Sequence, residues 1–114
     1  MSLKIYHNPR CSKSRQTLAL IRDQGIEPEI VEYLITPPSE AELDHILTML
    51  DIEPLALMRT GEAEFKEQIK GKELNRAQAI ALMVLYPKVI ERPIVVNGEK
   101  AAIGRPPESV LKIL

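Results

Sequence analysis

The most constraining feature of this sequence is the order of its first three segments. Leu3 and Ile5 alternate with Lys4 and run into His7-Asn8-Pro9, the pattern of a short strand ending in a turn. From Ser12 to about Gln24, Leu18, Ile21 and the intervening Ala19 and Leu20 predict an amphipathic helix that Gly25 can close. Glu29 to Ile35, rich in Ile, Val and Tyr, reads as a second strand ended by Thr36-Pro37-Pro38. A strand, a helix and a strand in this order predict a parallel pair joined by a crossover, and a parallel pair needs cover on its faces.

The rest of the chain supplies that cover and extends the sheet. Ser39 with Glu42 is a capping-box pattern, and Leu43, Ile46, Leu47 and Leu50 follow at helical spacing. Pro54 can open a short helix through Met58, after which Arg59-Thr60-Gly61-Glu62 reads as a break before a polar stretch, Ala63 to Lys70. Asn75 and Gln78 can start another helix with Ala77, Ile80, Ala81 and Val84 on one face, and Pro87 follows its end. Pro93-Ile94-Val95-Val96, Asn97-Gly98 and Glu99 to Ile103 form a strong hairpin signal, because Asn-Gly suits a type I′ turn. Pro106-Pro107 can start a last short helix reaching Leu114. The expected architecture is α/β: a thioredoxin-like mixed four-stranded sheet flanked by helices, with a helical insertion before the C-terminal β-hairpin. Residues 1–114 are expected to form a single domain.

Charge and cysteine content narrow the function classes. With 15 basic and 16 acidic residues the net charge is −1, so no global field draws the chain to nucleic acid or to a membrane surface. Any anion site must be local. One cysteine can form no intramolecular disulfide, and with only His7 and His45 as further soft ligands no cysteine-rich zinc site is expected. A reducing, cytoplasmic setting follows. The start, Met1-Ser2-Leu3-Lys4-Ile5, enters a strand pattern without the apolar stretch of a signal peptide, and no run approaches a membrane span.

Cys11 stands where chemistry is expected, at or just before the start of the first helix. An ordinary thiol is only about 3% ionised at neutral pH. Unpaired N–H groups and the helix dipole favour the anion, and Arg10, Lys13, Arg15 and His7 are close in sequence. The same N–H cradle suits an oxyanion such as phosphate, sulfate or arsenate. Ser14 holds the fourth position of what would be a Cys-x-x-Cys motif, so a Cys11 adduct must be resolved by an external thiol. Arg59, Arg92 and Arg105 each stand beside a break in the pattern and could pair with an oxyanion through their planar forks, although spacing alone does not unite them. His7 could tune the thiol or be a structural hydrogen bonder, and Pro93 could be cis. His45 reads as solvated.

The run His7-Asn8-Pro9-Arg10-Cys11-Ser12-Lys13-Ser14-Arg15 closely resembles the active-site loop of the glutaredoxin-coupled arsenate reductases. The likeness continues through Tyr33-Leu34, Pro37-Pro38-Ser39, Met58-Arg59, Glu91-Arg92-Pro93-Ile94-Val95-Val96 and Gly104-Arg105-Pro106. It implies that Cys11 is the nucleophile, that Arg59, Arg92 and Arg105 bind the oxyanion, that His7 tunes the thiol and that Pro93 is a cis proline. It further implies glutathione as reductant, glutaredoxin as partner and no bound cofactor. A sister group of Spx-type regulators binds RNA polymerase and commonly senses redox state through Cys-x-x-Cys, which Ser14 removes here. A glutathione-dependent monothiol oxidoreductase with another substrate would use the same thiol.

Overall fold

The computed structural model describes residues 3–114, so Met1 and Ser2, the start of the N-terminal pattern, lie outside the described residues. The chain forms two compact units, and the second, Pro37–Glu91, is inserted in chain order between the two parts of the first.

The first unit contains β1 (Leu3–His7), α1 (Ser12–Asp23), β2 (Glu29–Glu32), β3 (Ile94–Asn97), β4 (Lys100–Ile103) and a 3₁₀ helix over Pro107–Ile113. The strands form one mixed sheet in the order β2-β1-β3-β4, with β1 and β2 parallel and the other two pairings antiparallel. Ile5 lies opposite Ile30 on one side and Val95 on the other. As the strand with neighbours on both sides and a covalent link to the helix start, β1 is buried on both faces, with Ile5 fully enclosed and Tyr6 5% exposed. One core is formed by Leu3, Ile5, Leu18, Ile21, Val95, Ala102, Val110 and Ile113.

Two local details of this unit differ from the sequence reading. β2 stops at Glu32 instead of reaching Ile35, because the backbone turns there: Ile35 and Thr36 N–H both donate to the Glu32 carbonyl at 2.9 Å. Tyr33 goes inside as Ile35 goes out. The hairpin turn is also displaced by one residue. Asn97 pairs with Lys100, so the two-residue loop is Gly98-Glu99 rather than Asn97-Gly98. Gly98 has φ +62° and Glu99 has no positive φ, the φ pattern of a type II′ turn with glycine first. Asn97 has another use: its side-chain amide donates to the Ile113 carbonyl at 2.6 Å, tying β3 to the C-terminal 3₁₀ helix.

The second unit contains α2 (Glu40–Leu50), a 3₁₀ turn over Pro54–Leu57, α3 (Ala63–Gln68), α4 (Arg76–Leu85) and a 3₁₀ turn over Pro87–Val89. The expected capping box at α2 forms, and the helix start expected at Asn75 is a second one. Ser39 Oγ accepts from Glu42 N–H at 3.1 Å while the Glu42 carboxylate accepts from Ser39 N–H, and Asn75 and Gln78 repeat the arrangement. Leu43, Ile46 and Leu47 are buried as the spacing requires. In α4 the buried residues are Ala79, Ile80 and Met83, whereas Ala77 and Ala81 face solvent. The larger Met83 gains more from burial than an alanine methyl, and this sets the rotation of the helix. The stretch from Ala63, read as merely polar, folds into α3 because Phe65 and Ile69 bury.

Candidate active site

Cys11 is the N-cap of α1. Its extended backbone (φ −94°, ψ 124°) lets its carbonyl accept from Arg15 N–H at 3.0 Å, and its own N–H donates to the Asn8 carbonyl at 3.0 Å. Its side chain caps nothing in the usual sense. The helix-start N–H groups of Ser14 and Lys13 and the Arg92 guanidinium nevertheless favour the anionic form of the sulfur. Arg105 Nη2 adds a contact at 3.5 Å from Sγ. Burial pushes the thiol pKa up; the Ser14 N–H, the Arg92 hydrogen bond, the Lys13 N–H and the Arg92 charge outweigh it, and the net shift is below the ordinary thiol value. Partly exposed and free of any disulfide, Cys11 has the environment of a nucleophilic thiolate.

The cationic help therefore has a different source from the one expected. Arg15 is turned away, its Nη1 donating to the Pro9 carbonyl at 3.0 Å, and Arg10 and Lys13 are exposed. The stabilising cation is Arg92, 81 positions further along the chain, which β3 returns beside β1. Arg105 is aligned by its own backbone neighbourhood: Nε donates to the Arg92 carbonyl at 2.7 Å. The two arginines thus flank one sulfur through a shared hydrogen bond. Burial lowers the Arg92 pKa, but the Cys11 hydrogen bond and charge, with a contribution from Tyr33, which is 1% exposed, leave it raised. The Arg92–Pro93 peptide is cis, as is Arg105–Pro106.

Gly104 makes this approach possible. Its N–H donates to the Pro93 carbonyl at 2.9 Å, and a Cβ there would stand 2.5 Å from Thr17 Oγ1 and 2.7 Å from Pro93 Cγ. Only a hydrogen fits between α1 and the Pro93 turn. Thr17 is itself fixed by donating to the Lys13 carbonyl at 2.8 Å.

His7 and Ser14 form a buried pair behind the thiol. Ser14 Oγ lies 2.7 Å from His7 Nδ1 and accepts from Asn8 N–H at 3.1 Å, while Asn8 Oδ1 accepts from Arg10 N–H at 3.0 Å. His7 is 6% exposed. Burial lowers its pKa; Glu32 opposes this, and Arg22 and Arg15 reinforce it, leaving the neutral ring favoured. A neutral His7 brings no positive charge to the thiol. Ser14, read from the sequence only as the vacant place of a second cysteine, is a buried crosslink that fixes both the loop and the N–H facing Cys11. Its signal lay in the His7-to-Ser14 interval, which closes only when the helix has formed.

Arg59 belongs to the second unit. Its N–H donates to the Val89 carbonyl at 2.7 Å beside a bridge between Met58 and Ile90. Its guanidinium pairs with Glu91 at 2.8 Å and Glu62 at 3.4 Å, all three side chains being partly buried. His45 is exposed on α2.

A family model described as the ArsC family matches residues 6–113. An arsenate reductase of Haemophilus influenzae is 47% identical over the whole of both chains. The protein YfgD of Escherichia coli K12, named as uncharacterized, is 50% identical over 98% of this chain and 96% of its own. The solved structure of an arsenate reductase from Vibrio cholerae, 50% identical, superposes with a TM-score of 0.95 over 100% of this chain and 98% of that one. The thiol at a helix start, the returning arginines and the mixed sheet beneath them are thus carried on a chain that belongs to the ArsC family.

Proposed function

We propose that this protein reduces arsenate to arsenite with glutathione as electron donor and glutaredoxin as the recycling partner, in a reducing cytoplasm. The observation that carries this reading is the Cys11 sulfur held between helix-start N–H groups and the guanidinium of Arg92, with Arg105 at 3.5 Å. Its support beyond geometry is the arsenate reductase name of relatives such as those of Haemophilus influenzae and Neisseria meningitidis.

In this mechanism the Cys11 thiolate attacks arsenic, an oxygen leaves as water after protonation, and a sulfur–arsenic(V) bond is formed. Arg92 and Arg105 offset the negative charge of the oxyanion as it meets a thiolate, which the N–H cradle alone could not do for two anions. Glutathione thiolate then attacks the Cys11 sulfur. The electron pair of the sulfur–arsenic bond passes to arsenic, which departs as arsenite and leaves a Cys11–glutathione disulfide. A glutaredoxin thiolate attacks the glutathione sulfur, takes over the glutathionyl group and returns Cys11 as thiolate. His7 acts through Ser14 by holding the loop, and Pro93 shapes the approach of Arg92. Arg59 joins the anion-binding set on the strength of the family likeness, which would require it to exchange or share its carboxylate partners.

Purified protein with arsenate, glutathione, glutaredoxin and an NADPH-coupled recycling system should produce arsenite, and Cys11→Ala should abolish it. Arsenite formation that survives Cys11→Ala, or none from the unaltered protein, would contradict the proposal. Disulfide exchange with glutathione in the absence of arsenate turnover would instead indicate a monothiol oxidoreductase.

A further inference from the structure

The N-terminal part of the chain carries an uncompensated charge that the mechanism above does not use. Residues 1–22 include Lys4, Arg10, Lys13, Arg15 and Arg22 and no acidic residue, so the near-neutral net charge of −1 conceals a basic start followed by an acidic remainder. Helix starts normally attract acidic side chains, because the N-terminal end of the dipole is positive. α2 obeys with Glu40 and Glu42, and α3 with Glu64. α4 opens on a basic residue, Arg76, and matches it with Asp44 at 2.7 Å. α1 has no acid in its first turn, and two cations, Arg10 and Lys13, flank Cys11 there.

These two differ from their basic neighbours. Arg15 is engaged with the Pro9 carbonyl and Arg22 with Glu27 at 3.0 Å. The side chains of Arg10 and Lys13 are exposed and make no ion pair or hydrogen bond among the described residues. Lys13 lies in the first turn of α1, which Cys11 caps, so its flexible ammonium is tethered two residues from the reacting atom. Arg10 is tethered on the other flank by its N–H to Asn8 Oδ1 at 3.0 Å. Arg92 and Arg105 already face the sulfur and are assigned to the oxyanion. The outer pair remains for a second anion, arriving with the second reactant.

We propose that Arg10 and Lys13 select the thiol that resolves Cys11, favouring one that carries carboxylates over a neutral thiol. This deepens the reading of glutathione as reductant and rests on it. Glutathione has two carboxylates and one ammonium group, so it presents net negative charge to this rim. In exchange with glutathione disulfide, the Cys11 thiolate attacks one sulfur, forms the Cys11–glutathione disulfide and expels glutathione thiolate. No external oxidant or reductant is needed. The rim lowers the free energy of that encounter without touching the sulfur chemistry. Each reversed charge at contact range in water is worth roughly a factor of five to ten in rate.

The test compares two disulfides on the same thiol. Rates of Cys11 modification by glutathione disulfide and by the neutral 2-hydroxyethyl disulfide are measured by intact-protein mass spectrometry for the unaltered protein, Arg10→Glu, Lys13→Glu and the double variant. With each rate divided by the thiolate fraction of the variant, the ratio of the glutathione-disulfide rate to the hydroxyethyl-disulfide rate should fall at least about tenfold in the double variant, and 0.5 M salt should largely erase the difference. A parallel loss with both reagents would mean that only the thiol had been perturbed, and unchanged selectivity would mean that the rim plays no part; either overturns the proposal. Arsenate is absent from the experiment, so intact selectivity combined with no arsenite formation would reject arsenate as substrate and leave the selection of the thiol standing.

Discussion

Burial by itself would raise the Cys11 pKa, and the sign is reversed by N–H groups that belong to the fold and by one guanidinium that does not have to be there. Arg92→Ala should therefore raise the thiolate midpoint, read by ultraviolet absorbance of the thiolate, and lower kcat/KM for arsenate on the order of 10² to 10³. An unchanged midpoint would remove Arg92 from the account of reactivity. Because the folded-state pKa is depressed, the thiolate adds stability that is fully present above the unfolded thiol pKa, about 8.5, and is lost as pH falls through the folded value. His7 is also depressed, so the unfolded chain takes up its proton first on acidification. Stability should fall as pH drops below about 6.5, and His7→Gln should shrink the difference between urea midpoints at pH 7.5 and 5.5. The placement of Cys11 at a helix start was legible from the proline turn before it and the helical pattern after it. The identity of its cationic partner was not, since proximity in sequence favoured Arg10, Lys13 and Arg15, whereas β3 brings Arg92 across the sheet.

At the scale of elements, local chemistry was readable where the signal is local. Ser39 with Glu42 and Asn75 with Gln78 name their own helix starts, because both partners of each capping box lie within one turn. Ser39→Ala should cost about 1 kcal/mol in urea unfolding. The hairpin was readable as a hairpin but misplaced by one residue: Asn97-Gly98 satisfies a type I′ turn locally, and the distant carbonyl of Ile113 claims Asn97 instead. α3 was missed because two apolar residues, Phe65 and Ile69, are too few to set a period over six helical positions. Gly104 carried no local signal at all, since its reason is the closeness of Thr17 and Pro93. Gly104→Ala should destabilise by about 1–3 kcal/mol and reduce arsenate turnover more than Ser39→Ala, because the displaced Pro93 turn carries Arg92. Equal effects of the two substitutions on turnover would contradict that coupling.

For the whole molecule, the β-α-β opening and the late hairpin were enough to expect a mixed four-stranded sheet, whereas the order β2-β1-β3-β4 depends on which strand the hairpin joins, a long-range pairing with no local signal. The insertion Pro37–Glu91 forms a compact unit of its own. Among the described residues no helix is long and apolar enough to cross a membrane. These scales meet at one thiol: Cys11, placed by the first strand and helix, is where electrons are proposed to pass from glutathione to an oxyanion. Mass spectrometry of the intact protein after incubation with arsenate and glutathione, with glutaredoxin omitted, tests it most directly. A single glutathionyl group should appear on Cys11 only when arsenate is present and disappear when glutaredoxin is added; no adduct, or one that forms equally without arsenate, would rule this route out.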